Sequence, residues 1–238
     1  MESEAPAVVV PILHAVSNDE IVGRANFLDR ARTVMRAMGP RGALQLRASR
    51  MALDDSSRFA ELALTLAEEQ ARTGAWLVVN DRADVALIAC ARGLQLTARS
   101  LDVADAVKVM LERGAQCGAN LQIAIGASLH SLEEGIAARL AGAAWGVVSD
   151  VLAPHGTKAD EFDSRPSTND GGRALLERLV RFSGIPIIAI GGIVPQHVAL
   201  LRRIGVSGIA AIRGIWDADD SERAVIDYLS AYDAEVGR

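Results

Sequence analysis

Short runs of β-branched and apolar residues alternate along the chain with longer stretches whose apolar residues recur every three or four positions. The runs predict eight strands, at residues 8–14, 43–47, 76–80, 93–96, 122–126, 145–148, 186–190 and 208–212. Between them, Phe27, Leu28, Ala31, Val34, Met35 and Met38 fall on one face of a predicted helix, as do Phe59, Leu62, Ala63, Leu66 and Ala67 on another. Ser131 followed by Glu134 forms a capping box opening the fifth predicted helix. Pro195 in a first turn and Gly205 just past Ile204 bracket the seventh. Val225, Tyr228, Leu229 and Tyr232 give the last helix its buried stripe.

Eight strand–helix units in roughly 230 residues match the size and rhythm of a (β/α)8 barrel. A doubly wound open sheet shares the alternation, but its first strand usually runs into a glycine-rich dinucleotide loop. Here the residues after His14 are Ala-Val-Ser-Asn-Asp-Glu. No linker or composition shift divides the chain. The expectation is therefore an α/β protein, a single (β/α)8 TIM barrel over residues 1–238, with its chemistry at the C-terminal ends of the strands.

Composition narrows the partners. The chain is 50% apolar, 23% charged and only 4% aromatic, which suits a globular domain. Its 25 basic and 30 acidic residues give a net charge of −5 with no long run of either sign. Trp76, Trp145 and Trp216 are scattered, so nucleic acid is not an expected partner. Cys90 and Cys117 are too few for a disulfide framework or a structural zinc cluster and suit a reducing compartment. Glu2 and Glu4 replace the basic region of a signal peptide. Residues 182–201 lack formal charge over a membrane-spanning length. Pro186, Gly191-Gly192, Pro195 and Gln196 nevertheless break that window into strand, turn and helix start. A cytoplasmic protein without membrane contact is expected; the sequence leaves open whether copies form a homo-oligomer.

Several strand ends carry candidate chemistry. The seventh runs into Gly191-Gly192 ahead of Pro195, and the eighth into Arg213-Gly214. Glycine turns beside helix starts let backbone N–H groups reach an anion, at the usual phosphate position of barrels. Gln45 and Arg47 share a face of the second strand, where a polar ligand would satisfy them. Asp81 follows the third strand as a hard-metal ligand or as the cap of the next helix. Ser128 and His130 follow the fifth, His130 as a structural or an acid–base group. The roughly eighteen residues 153–170, with His155, Thr157, Lys158 and Arg165, exceed an ordinary connection and read as a lid or an unstructured loop. Nucleophile elbow, Cys-x-x-Cys and helical His-pair motifs are absent from the sequence.

Taken together these segments resemble the thiamine phosphate synthase / TenI superfamily. The matching runs are Leu13-His14-Ala15-Val16-Ser17, Gln45-Leu46-Arg47, Val79-Asn80-Asp81-Arg82, Gly126-Ala-Ser128-Leu-His130-Ser131, Thr157-Lys158, Ala189-Ile-Gly-Gly-Ile193 and the stretch from Gly208 to Ile215. They occur in family order over nearly the whole chain. The resemblance implies joining of hydroxymethylpyrimidine diphosphate to thiazole phosphate with release of pyrophosphate. It maps Gln45, Arg47, Asn80 and Ser128 onto diphosphate- and pyrimidine-contacting positions, and Asp81 onto a Mg2+ ligand. Lys158, with Thr157 beside it, falls on the lid, and Gly191, Gly192, Arg213 and Gly214 on the thiazole phosphate site.

Two departures stand out. Synthases usually carry a lysine two residues after the arginine of Gln-x-Arg, where this chain has Ser49. They also carry a histidine and a second metal-binding aspartate after the fourth strand, where this chain reads Gln95-Leu96-Thr97-Ala98-Arg99-Ser100. The TenI branch, which includes thiazole tautomerases, also lacks that aspartate. Its acid–base histidine aligns near Ser149-Asp150, so Asp150 or nearby His155 would move the proton. Three readings stay open: a synthase using Mg2+, a TenI-like isomerase, or a non-catalytic binder of a small phosphorylated heterocycle.

Overall fold

The computed structural model describes residues 9–114, 122–149, 151 and 172–234. Eight parallel strands close into a barrel in chain order, β1 pairing with both β2 and β8. They are β1 (Leu13–Val16), β2 (Gly42–Leu46), β3 (Trp76–Asn80), β4 (Gly93–Leu96), β5 (Ala124–Ser128), β6 (Trp145–Val148), β7 (Ile187–Ile190) and β8 (Gly208–Ala211). The helices among the described residues are α1 (Asp19–Val22), α2 (Phe27–Met38), α3 (Ser49–Asp54), α4 (Ser56–Thr73), α5 (Ala83–Ile88) and α6 (Val103–Gly114). They continue with α7 (Leu132–Leu140), α8 (Gly172–Phe182), α9 (Pro195–Ile204), α10 (Arg213–Trp216) and α11 (Ser221–Asp233). The protein is a (β/α)8 barrel, as the alternation predicts. None of these helices is long and apolar enough to cross a membrane.

The helix stops and starts hold, although the return bond of the predicted capping box goes to the residue before the cap. Ser131 accepts from Glu134 N (3.1 Å), while Glu134 turns its carboxylate to His130 N (2.7 Å). Pro195 opens α9, and Gly205 closes it at φ 100°, a left-handed position where a side chain would be strained.

Strand ends shift where hydrogen bonding overrides hydropathy. β1 starts at Leu13 instead of residue 8, because Pro11 has no N–H for the ladder and its carbonyl meets His14 Nε2 at 3.1 Å. β5 lies two residues later than predicted, its register fixed by Gly93↔Ala124 on one side and Ser128↔Val147 on the other. β2 ends at Leu46, so Arg47 sits just past the strand. Helices α1, α3 and α10 escape periodicity because one turn cannot establish it. The first turn of α3 is held from outside, Asp19 Oδ1 accepting from Arg50 N and Met51 N at 3.0 Å each.

Two apolar layers result. Leu44, Leu46, Leu77, Val79 and Leu94 point outward into the layer shared with the helices. Val16, Ala43, Val78, Ala124, Trp145, Ile188 and Ala210 fill the barrel interior. Trp145 is fully buried, and small neighbours make its room. A Cβ on Gly126 would lie 2.1 Å from the indole, and one on Gly93 3.0 Å from it.

Candidate active site at the barrel mouth

On four successive strands the interior position nearest the C-terminal end is polar. Ala43 gives way to Gln45, Val78 to Asn80, Gly93 to Gln95 and Gly126 to Ser128, each two residues along the same face. Gln45, Asn80 and Gln95 are buried, at 6%, 4% and 2% exposure. Across the mouth, Val16, Val147 and Ile190 line the same cavity, about 80 Å³ in volume. One wall is therefore polar, and the other is apolar apart from Ser149 just past β6.

The polar wall is internally wired. Gln45 Nε2 donates to Asn80 Oδ1 (2.5 Å), and Asn80 Nδ2 donates to Asp81 Oδ2 (2.5 Å). Asp81 Oδ1 accepts from Thr97 N and Thr97 Oγ1, both at 2.9 Å, and from the Ser100 hydroxyl. Trp145 Nε1 donates to Gln95 Oε1 (2.9 Å), turning the Gln95 amide nitrogen toward Leu96 O (3.2 Å) and Ser128 Oγ (3.4 Å). Ser17, wholly buried at the end of β1, donates to the carbonyls of Gln45 and Arg47 and accepts from Arg47 N (3.0 Å). That hydroxyl fixes where Arg47 leaves β2.

Asp81 does not cap the next helix. The residue flanking α5 is Arg82, without a side-chain cap, while Asp81 takes a left-handed φ of 61° that turns it toward the 97–100 loop. Its N–H donates to Gln95 O at 2.9 Å.

The phosphate candidates lie on the far side. Gly191 and Gly192 have φ of 113° and 63°, an arrangement side chains resist, whereas Gly214 sits inside α10 beside exposed Arg213. Tyr228 of α11 braces this corner: its buried hydroxyl donates to Ile193 O (2.7 Å) and would stand 2.2 Å from a Cβ on Gly214. Burial raises its pKa to about 12, so it remains a neutral donor.

His130 lines the cavity, and its Nε2 is buried without a hydrogen-bond partner among the described residues. His14 lies deeper, 1% exposed and 6.1 Å from the Trp145 ring centroid; burial lowers its pKa to about 4 against a small opposing effect of the Pro11 carbonyl. It is neutral at pH 7. Asp150, His155, Thr157, Lys158 and Arg165 fall outside the described residues. Thus Gln45, Arg47, Asn80, Ser128 and His130 converge on one cavity, with Asp81 behind its wall. Sequence reasoning passed over Ser17, Gln95, Thr97, Trp145 and Tyr228 as site residues. For Gln95 and Thr97 the signal was present, two polar residues in alternation at a strand end.

A magnesium ion does not fit the described donors as a resident cofactor. Mg2+ is held by one or two carboxylates, with water and substrate phosphate oxygens completing its shell, and each carboxylate must offer it a lone pair. Asp81 brings a single carboxylate, both oxygens of which already accept hydrogen bonds, one from the rigid Thr97 N–H. Among the described residues no group of three or more His, Cys, Asp or Glu side chains gathers to hold a metal.

A larger depression of about 600 Å³ lies on the outer faces of α8 and α9, lined by surface residues including the Arg173–Glu177 ion pair (3.0 Å). It is lined by helix residues alone, with none from the strand ends where barrels place their chemistry.

Fold and mouth together define a (β/α)8 barrel with polar side chains at the strand ends and a glycine turn after β7. Residues 13–215 match the family described as thiamine monophosphate synthase, and the chain belongs to that family. It is 31% identical over 224 residues to the thiamine-phosphate synthase of Methanoculleus marisnigri, covering 92% of this chain and 96% of the relative. It is 36% identical over 160 residues to that of Chloroflexus aurantiacus, 67% of this chain and 66% of the relative. Thiamine phosphate pyrophosphorylase from Pyrococcus furiosus superposes with a TM-score of 0.72 at 23% identity, covering 93% of this chain and 95% of that one.

Proposed function

We propose that the chain joins hydroxymethylpyrimidine diphosphate to thiazole phosphate, releasing pyrophosphate, in the cytoplasm. The observation that carries this reading is the convergence of Gln45, Arg47, Asn80 and Ser128 on one cavity, in a chain whose relatives are named thiamine-phosphate synthases. In the reaction the bond between the pyrimidine methylene carbon and the diphosphate oxygen breaks, its electron pair leaving with pyrophosphate. The thiazole nitrogen's lone pair then forms the new carbon–nitrogen bond. Negative charge builds on the leaving group, so cationic side chains fixed beside it lower the barrier. Arg47 takes that role here, with Lys158 as its partner from the 153–170 segment. Gln45, Asn80, Ser128 and His130 hold the pyrimidine and the near end of the diphosphate, with Thr157 as a further contact. Gly191, Gly192, Arg213 and Gly214 hold the thiazole phosphate by backbone N–H groups and charge.

The apolar wall of Val16, Val147 and Ile190 supports this chemistry, since it offers a ring face a water-poor surface. Charge compensation falls on cationic side chains and on any cation the diphosphate brings with it.

The test is the purified full-length chain with both substrates, thiamine phosphate being measured directly. Product should form, and Arg47→Ala should lower kcat by about 100-fold or more. Absence of product with both ligands bound refutes the synthase reading. The bonding of Asp81 to Thr97 and Ser100 favours a second reading, a TenI-like isomerase acting on thiazole phosphate alone. In that case Asp150 or His155 carries the proton, and tautomer interconversion proceeds without the pyrimidine.

A further inference from the structure

We infer that Asp81 is a positioning residue that sets the direction of the hydrogen-bond chain on the polar wall and holds no resident metal ion. A carboxylate only accepts. Asn80 must therefore turn its NH2 group to Asp81 Oδ2, which leaves Asn80 Oδ1 to receive the Gln45 NH2. Gln45 Oε1 is then the atom left for the cavity that Gln45 lines. Without Asp81 either amide can rotate, and the wall would show the ligand an acceptor or a donor indifferently. With Asp81 it shows an acceptor.

The other carboxylate oxygen is closed by Thr97 N, Thr97 Oγ1 and the Ser100 hydroxyl. Hydroxyls can swing to offer lone pairs to a cation, but a backbone N–H cannot. The positive end of the Thr97 N–H dipole already occupies one lone-pair direction of Oδ1. Ser100 thus serves as a hydrogen-bond donor to Asp81, and the pair is complete without a metal. This deepens the reading of the mouth as a pyrimidine site and rests on that reading only for the identity of the ligand.

Metal binding is measured on the free full-length chain, independently of any reaction. Saturable Mg2+ at about 100 times its dissociation constant would raise the unfolding midpoint by roughly 5 °C or more in a chain of this length. The expected midpoint is the same in Mg2+ and in EDTA, and a Mn2+ titration followed by spin resonance should show no site that Asp81→Ala removes. A Mg2+-dependent rise, or one bound Mn2+ lost on Asp81→Ala, overturns the proposal.

The second measurement is ligand preference. In Asp81→Asn the new carboxamide keeps its oxygen toward Thr97 and Ser100 and points NH2 at Asn80. Asn80 and then Gln45 must flip, so the cavity meets an NH2 group. A hydroxymethylpyrimidine probe carrying an exocyclic NH2 donor should bind about 10-fold more weakly, and the analogue carrying an exocyclic oxo acceptor better, than to the wild type. Equal loss for both probes would reduce Asp81 to a structural group and overturn the inference. If neither probe binds the wild type, the pyrimidine reading fails, while the metal measurement still decides the role of Asp81.

Discussion

His14 gives a pH dependence that can be worked out from one buried ring. It is 1% exposed inside the barrel; its Nε2 meets Pro11 O at 3.1 Å, and its Nδ1 is buried with no hydrogen-bond partner among the described residues. Desolvation lowers its pKa from 6.5 to about 4. Between these values the unfolded chain holds a proton that the folded protein refuses. Stability therefore falls as pH drops from about 6.5 to about 4, and above 6.5 this effect is absent. The full effect is about 3 kcal/mol, of which about 2 kcal/mol is reached by pH 5, a large share of an ordinary domain's stability. Most carboxylates are still ionised at pH 5, and comparison with a His14 variant separates this ring from the other three histidines. His14→Gln keeps an N–H donor for Pro11 O and removes the titration. Urea unfolding followed by circular dichroism at pH 7, 6 and 5 should show the wild type losing about 2 kcal/mol more than the variant. Parallel pH curves would refute the reasoning, because they would mean that the ring is protonated equally well in both states.

Two further substitutions test how the site is supported. Gly126→Ala places a methyl 2.1 Å from the indole of fully buried Trp145, so it should destabilise the fold by about 2 kcal/mol or more and shift tryptophan emission. Adding Trp145→Leu should recover part of that loss in urea unfolding, whereas simple additivity would count against the contact. Tyr228→Phe leaves Ile193 O without its 2.7 Å donor and should cost about 1–2 kcal/mol. It should also weaken thiazole phosphate binding several-fold by calorimetry; unchanged affinity would mean that the glycine turn stands without this brace.

Most of the fold is legible because its elements are either amphipathic or uniformly apolar. β3, β4 and β6 begin and end where hydropathy places them. β1 and β5 are displaced because apolar residues such as Val9, Val10 and Ile123 continue the hydrophobic run beyond the paired segment. Composition cannot mark where a neighbouring strand stops. The site is legible in its residue types and less so in its connections. Gln45 and Asn80 are 35 residues apart and Gln95 and Trp145 50 apart, so nothing local announces either bond. Ser17 looks like an ordinary turn residue until its hydroxyl is seen holding two carbonyls of β2 and its extension.

The two serines that set this chain apart are not equivalent departures. Ser49 is exposed at the first position of α3, whose leading N–H groups are already taken by Asp19 Oδ1. A lysine there would put positive charge at the positive end of a helix, and Arg50 already supplies a cation next to it. Its replacement by serine therefore removes a charge without altering any contact of the cavity wall. Ser100 is different, because its hydroxyl completes the shell of donors around Asp81. An aspartate in its place would set a second carboxylate against Asp81 Oδ1, a repulsion that a bound cation or a shared proton would have to relieve. The serine removes both the repulsion and the need for either. One exchange thins the charge around the mouth, and the other rebuilds its polar wall on hydrogen bonds alone.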